Sequence, residues 1–514
     1  MASLTSMRFP ILIFIMFSLQ ISSMDVNTQN TTPYVSYEDF GAMGDGKTDD
    51  LSAIHRAHQY ANRYKLPVKA NDKATYYIGS DNIEVIIKTN TNFGKARFII
   101  DDTKLQNPKA DVFKVKSDLK SKKLKTIRSL KRNQSKLDLE LEGPAIVAVY
   151  NSNKKQYIRK GGNRNNGSPK RDTFLVDPKG DVDKTTPIVW DFEDITELTV
   201  TPMDSEQLLI TGGLFTTWPS QKVSTSYHKR GIRIERSNVV VDHMTHLIEK
   251  NGENGSPYSG FISISKCANV TVKNTIFTGR MTYFKTGNAG SRVPMGSYGI
   301  SVGSALNIKF INCSQSNSIH DKMFWGIMGT NFCKNLELDG CTFSRFDAHQ
   351  GVTNLAIRNS EIGYMGIMAI GHGRFLVENT KVHSPNLISF RPDYGSSWKG
   401  DIEIRDCAFF PKGKNRATLF SGRNTGDHYF GYTCYMPENI HLENIKIEDK
   451  DYEGQVAVLG NFNRRFDEDS KADHPIITTK KVVLNNVKTS SGKKLELNSN
   501  SLMFKDVMFI NNND

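Results

Sequence analysis

Residues 334–382 read KNLELDGCTFSRFDAHQGVTNLAIRNSEIGYMGIMAIGHGRFLVENTKV, and one short pattern occurs in them three times. KNLELDGCTF (334–343), TNLAIRNSEI (353–362) and GRFLVENTKV (373–382) each carry a polar pair, an alternating strand and then a small or amide residue. Their starts lie 19 and 20 residues apart. Working outward, seven further copies follow the same scheme. They are SNVVVDHMTH (237–246), ANVTVKNTIF (268–277), LNIKFINCSQ (306–315), GDIEIRDCAF (400–409), ENIHLENIKI (438–447), KKVVLNNVKT (480–489) and SLMFKDVMFI (501–510). Strict alternation marks each as a half-buried strand, and recurrence at this period marks a stacked architecture.

Position seven is Asn or Asp in seven of the ten copies: Asn274, Asn312, Asn359, Asn379, Asp406, Asn444 and Asn486. The exceptions are His243, Gly340 and Val507. Asn tolerates the left-handed turn conformation, and stacked amides bond to one another, so the column predicts a ladder between coils. Position eight holds Cys313, Cys341 and Cys407, while Cys267 and Cys333 each precede a copy. Cysteine at a recurring slot is a small buried filler, here expected as free thiol. A second strand precedes most copies, as in GFISISK (260–266), YGISVGSA (298–305) and VAVLGNFN (456–463). Two or three short strands per coil, wound ten or more times, predict an all-β parallel β-helix.

Lys and Arg exceed Asp and Glu by 67 to 54, a formal charge of +13. Such a balance favours a polyanionic partner. Residues 1–23 have the marks of a secretory signal: Arg8, the apolar run Phe9 to Ile21, then Ser22-Ser23. The rest of the chain lacks an apolar run long enough to span a bilayer. An exported chain, secreted or periplasmic, argues against nucleic acid and for an acidic polysaccharide as the partner of a monomer.

Residues 34–64 read YVSYEDFGAMGDGKTDDLSAIHRAHQYANRY. A strand and a Gly-rich turn lead into a helix from about Asp50, with Ala53, Ile54, Ala57, Tyr60 and Ala61 spaced for one face. The stretch DFGAMGDGKTDDLSAI closely resembles the N-terminal signature of pectate-lyase-like right-handed β-helix proteins. That superfamily includes polysaccharide lyases, polygalacturonase-type hydrolases and phage depolymerases. The resemblance implies that this segment caps the solenoid, so Asp39, Asp45, Asp49 and Asp50 serve turns rather than catalysis. The expected organisation is a cap with first coils over 34–99, a basic inserted β-subdomain with early coils over 100–235, and the β-helix carrying a groove over 236–514. The Lys/Arg-dense run Ser117 to Lys136 reads mainly as a solvated loop.

Long insertions flank the short coils, at 278–297 and 314–323 on one side and 410–437 and 448–479 on the other. Between them lies a dense set of polar and aromatic residues. β-Elimination of a uronic-acid glycan needs a group that neutralises the carboxylate, a base for the C5 proton and an acid for the leaving oxygen. His349 or His372 is expected as base, Tyr394 as acid, and Arg391 with Arg345 or Arg423 at the carboxylate. Trp398, His320, Lys322 and His428 are expected as further substrate contacts. The His/Arg/Tyr-rich groove has the flavour of glycosaminoglycan-cleaving lyases. No cofactor is required, and calcium is the one ion the resemblance leaves open. Hydrolysis, with Asp347 and Asp393 as the acid pair, is the alternative; Gly371-His372-Gly373 matches the hydrolase GHG by letters, but the NTDG segment and Asp pair are absent. A non-catalytic glycan-binding β-helix is the third reading.

Overall fold

The computed structural model describes residues 33–414, 416–424, 426–460 and 473–512. The expected signal segment 1–23 lies outside them, as does part of the 448–479 insertion. Tyr34–Asp514 form one unit, a right-handed parallel β-helix. Among the described residues no helix is long and apolar enough to cross a membrane.

The first nine repeat copies stack residue for residue. Position three pairs in sequence through Val239, Val270, Ile308, Leu336, Leu355, Phe375, Ile402, Ile440 and Val482. All nine are buried, and so are the nine at position five, from Val241 to Leu484. Each such side chain contributes roughly 1.5–3 kcal/mol of burial, which is why an apolar residue returns at these two places. The tenth copy is out of step. Met508 pairs with Lys481, so the last strand is Met508–Asn512 and Val507 is not a position-seven residue.

Position seven holds a left-handed backbone in every one of the nine copies, His243 and Gly340 included. The amides then link coils. Asn359 Nδ2 donates to Asp339 Oδ1 (2.7 Å), Asn379 to Asn359 (2.8 Å), Asn444 to Asp406 (2.9 Å) and Asn486 to Asn444 (2.9 Å). A second ladder, unforeseen from the sequence, runs along position two. It passes from Asn354 through Asn335, Asn307 and Asn269 to Asn238, all left-handed. Position eight closes the same turn: Thr275, Ser360 and Thr380 donate to the carbonyl two residues back, and Cys313, Cys341 and Cys407 make the matching thiol contact. All six cysteines are free and buried.

The helix Leu51–Tyr64 covers the N-terminal end, with Leu51, Ala53, Ile54, Ala57, His58 and Ala61 buried. Tyr60 is instead exposed, beside Phe40 and Tyr64, and His58 takes the inward place, bonded to Tyr37 OH at 3.0 Å. The signature aspartates serve backbone turns. Asp50 accepts from Met43 and Gly44 N–H, Asp45 from Lys47 and Thr48, and Asp49 from Leu51.

Between the strands Phe113–Lys116 and Leu208–Trp218 the chain leaves the solenoid. Strands Lys122–Leu124, Glu197–Pro202, Ala145–Gln156 and Ser168–Val176 lie side by side, in that order, as an antiparallel sheet. Its core is separate, built on Val147, Val149, Phe174, Phe192 and Leu198. A buried ion pair, Lys334 to Asp172 at 2.7 Å, fastens it to the β-helix. The basic run 117–136 is mostly exposed on this subdomain.

The ladder sets an order of stability. Asn359→Gly removes two amide bonds, and Asn359→Ala also forces a Cβ into the left-handed region, an added cost of roughly 1–2 kcal/mol. Denaturation midpoints should therefore fall in the order Asn, Gly, Ala; Ala at or above Gly would contradict the ladder.

Candidate functional site

The strand Thr342–Gln350 alternates Phe346 and Ala348, which point into the solenoid core, with Arg345, Asp347 and His349 on the outer face. An irregularity between Phe343 and Arg345 re-aims this row relative to the next coil. Two coils on, the strand Asn386–Phe390 ends in a turn over Pro392–Tyr394, which brings Arg391, Asp393 and Tyr394 beside the row. Gly395 closes that turn at φ 88°, where a Cβ would lie 2.4 Å from Cys434 Sγ.

Charge pairing knits the two segments. Arg391 bonds Asp347 at 3.1 Å and Asp393 at 2.9 Å, and Arg345 also pairs with Asp347. A third guanidinium, Arg159, reaches in from the inserted subdomain to Asp393 at 2.9 Å and lies 5.5 Å from the Tyr394 ring centroid. His349 Nδ1 is 2.8 Å from Asn331 Oδ1, so this nitrogen carries the proton. Its Nε2 lone pair faces Tyr394 OH at 3.4 Å.

The outer face should be wet, yet Asp347 is 0% and Tyr394 1% exposed. Arg345 and Arg391 enclose Asp347, while Tyr394 packs among Tyr157, Phe430 and Tyr432, where a strap over 157–165 crosses it. Ile158 N donates to Phe430 O (3.1 Å) and Lys160 N to Asp393 O (2.9 Å). At the far end Asn288 Nδ2 donates to Arg164 O (2.9 Å) and Ala289 N to Gly162 O (3.1 Å), joining the hairpin of Tyr283–Thr286 and Arg292–Met295. Beside Arg345, whose guanidinium lies 4.9 Å from the Trp325 centroid, opens a cleft of about 350 Å³ walled by Trp325, Lys322, Tyr283, Phe284 and Arg292.

Burial governs the titrations. It pushes His349 down to about 4, with the nearby Arg391 charge acting the same way, so the imidazole is neutral at neutral pH. Burial alone would raise the Asp347 carboxyl, but Arg345 and Arg391 outweigh it and hold the group below the usual carboxylate range. Burial likewise raises the Tyr394 phenol. This donor set does not fit calcium, because both carboxylates are already held by guanidinium groups.

The other expected residues lie elsewhere. His372 sits edge-on to Trp190 of the subdomain, 4.9 Å between centroids, and burial plus Arg132, Lys334 and Lys399 push it down to about 3. Trp398 corrects the expectation of a sugar-stacking ring: it is fully buried, packs on Phe375, and donates Nε1–H to Gly373 O. Arg423 is exposed, and among the described residues its backbone meets Ser396. His428 packs on Phe430, and Lys322 lies over Tyr364. His320 is exposed beside His383 and Glu361, outside the Arg391 cluster. Arg159 and Asn331 went unrecognised. Arg159 stands in YIRKGG, and nothing in its sequence places it against residues more than two hundred positions later.

No family model and no curated protein sequence matches the chain. Solved structures share its fold, three phage tailspikes among them. The tailspike gp61 of Pseudomonas phage phi297 superposes with TM-score 0.55 at 12% identity, over 93% of this chain and 83% of that one. The tailspike gp49 of Pseudomonas phage LKA1 gives 0.54 at 12%, over 92% and 84%. The gp54 tailspike of Acinetobacter baumannii bacteriophage AP22, solved with A. baumannii capsular saccharide, gives 0.53 at 11%, over 93% and 79%.

Neutral burial of His349 predicts acid sensitivity. Its folded pKa is depressed below the unfolded value near 6.5, so its contribution is complete above pH 6.5 and lost as pH falls to about 4. His58, at about 3, and His228, at about 4, act in the same direction. Stability measured against pH should decline through this window, and His349→Gln should flatten the slope by up to one proton, about 1.4 kcal/mol per pH unit. An unchanged slope would mean that His349 titrates alike in the folded and unfolded protein.

Proposed function

We propose that the protein is an exported polysaccharide lyase that cleaves an acidic, uronic-acid-containing glycan by β-elimination. The observation that carries this reading is His349 with its Nε2 aimed at Tyr394 OH beside the Arg391 cluster. Arg159, the most exposed of the three guanidinium groups, receives the substrate carboxylate, with Arg391 behind it, so charge can develop into the carboxylate as C5 is deprotonated. His349 Nε2 takes the C5 proton. The freed electron pair forms the C4–C5 double bond as the C4–O bond breaks. Tyr394 gives its phenolic proton to the departing oxygen and recovers one from His349 across the 3.4 Å gap, which restores both groups. A raised phenol pKa suits a group that must hold its proton until that moment. Because Tyr394 is covered, the 157–165 strap must part before a polymer chain reaches it.

The charge of +13 supports a polyanionic substrate, and the saccharide held by the AP22 tailspike shows that a solenoid of this shape can present a glycan site. Hydrolysis fits less well. A glycosidase pair needs one carboxyl kept protonated, whereas Asp347 is held ionised and both carboxylates are bound to Arg391. The deep burial of Tyr394 and Asp347 favours a second reading, a glycan-binding solenoid in which the cluster only braces the coils.

Incubation with a panel of uronic-acid glycans separates these readings. The lyase produces the ultraviolet absorbance of an unsaturated uronide, and His349→Ala or Tyr394→Phe lowers turnover by roughly 10²-fold or more while the fold persists. New reducing ends without that absorbance indicate hydrolysis. Retained binding without either product indicates the non-catalytic solenoid.

A further inference from the structure

The segment between the strands Ser314–Gln315 and Met328–Asn331 carries Lys322 and Trp325, and it also touches the coil below. There Tyr364 N–H donates to Ile319 O at 3.0 Å. The next residue, His320, projects toward Glu361 and His383, which belong to two successive coils. His383 Nε2 is 2.9 Å from Glu361 Oε1, and the His320 and His383 ring centroids are 4.9 Å apart. One ligand atom from each of the three residues lies within 4.8 Å of the other two.

We propose that His320, Glu361 and His383 bind a divalent transition-metal ion of the zinc type. Two imidazoles and one carboxylate are a donor set that zinc takes, leaving a fourth position for water. The two nitrogens make the site a poor one for calcium or magnesium, which prefer all-oxygen shells. Tetrahedral bonds near 2.0–2.1 Å require ligand atoms roughly 3.3 Å apart. Glu361 and His383 are already at about this separation, and His320 is exposed, so its ring can swing the remaining distance. His383 is half-buried and stacked on Phe410 at 4.3 Å, which fixes one ligand in advance. The assignment replaces His320 as a sugar contact.

Bound metal would fasten the insertion to two coils at a point two residues before Lys322 and five before Trp325. Those two side chains wall the cleft beside Arg345. The ion is therefore a clamp on that wall, with none of the reacting groups among its ligands, and the proposal stands whether or not the glycan is cleaved.

The test is calorimetric titration of the metal-free full chain with Zn²⁺ alone, followed by Co²⁺ to report coordination through its visible absorption bands. One equivalent should bind, Ca²⁺ should not displace it, and Co²⁺ should give the spectrum of a four-coordinate site. His320→Ala, at an exposed position that the fold does not need, should weaken binding at least tenfold. Glu361→Gln should do the same. Zn²⁺ should also slow proteolytic cutting within 316–325 in the unaltered protein and have no such effect in His320→Ala. Absence of stoichiometric binding, or binding that survives both substitutions, overturns the proposal.

Discussion

A left-handed residue at a fixed place in every coil is the constraint from which the remaining structure follows. An L-residue enters that conformation at a cost, and Asn offsets it by bonding its amide to the Asn or Asp one coil away. The bond does two things at once. It ends the strand with a sharp corner, and it fixes the corner's height relative to its neighbours. Nine corners held in register place Val239 to Val482 in one buried column. The same register delivers Arg345, Asp347 and His349 to the outer face beside Arg391 and Tyr394.

The cluster that results is built differently from the cap, although both use aspartate. In the cap, Asp45, Asp49 and Asp50 accept backbone N–H groups and organise a turn. In the cluster, Asp347 and Asp393 accept from guanidinium groups on three separate segments. Removing one partner of such a buried group costs roughly 3–5 kcal/mol, so each charge holds the others in place. Three arginines against two carboxylates leave an excess positive charge where the strap meets the coils.

Local periodicity made the architecture legible. Copies of ten residues announce their own register, and even the odd members His243 and Gly340 occupy the left-handed corner. The last copy misled because SLMFKDVMFI repeats the apolar spacing without the corner residue, and the strand begins only at Met508. The His349–Tyr394–Arg391 group was legible because its members sit on coils two turns apart. Arg159 was not, since its position depends on how a separate antiparallel sheet folds back over the solenoid. For the same reason His372 and Trp398 looked available. Sequence shows that a histidine or tryptophan is near a coil edge; it does not show that Trp190 covers the first, or that the second is turned inward against Phe375.

Whether an acidic sugar reaches Arg159, Arg391 and His349 decides the proposed function. A crystal structure of the His349→Gln protein with a bound uronic-acid oligosaccharide measures this directly. The carboxylate of one sugar should lie within hydrogen-bonding distance of Arg159 or Arg391, with its C5 hydrogen turned toward residue 349. An oligosaccharide bound away from these arginines, with the strap still closed over Tyr394, would contradict it.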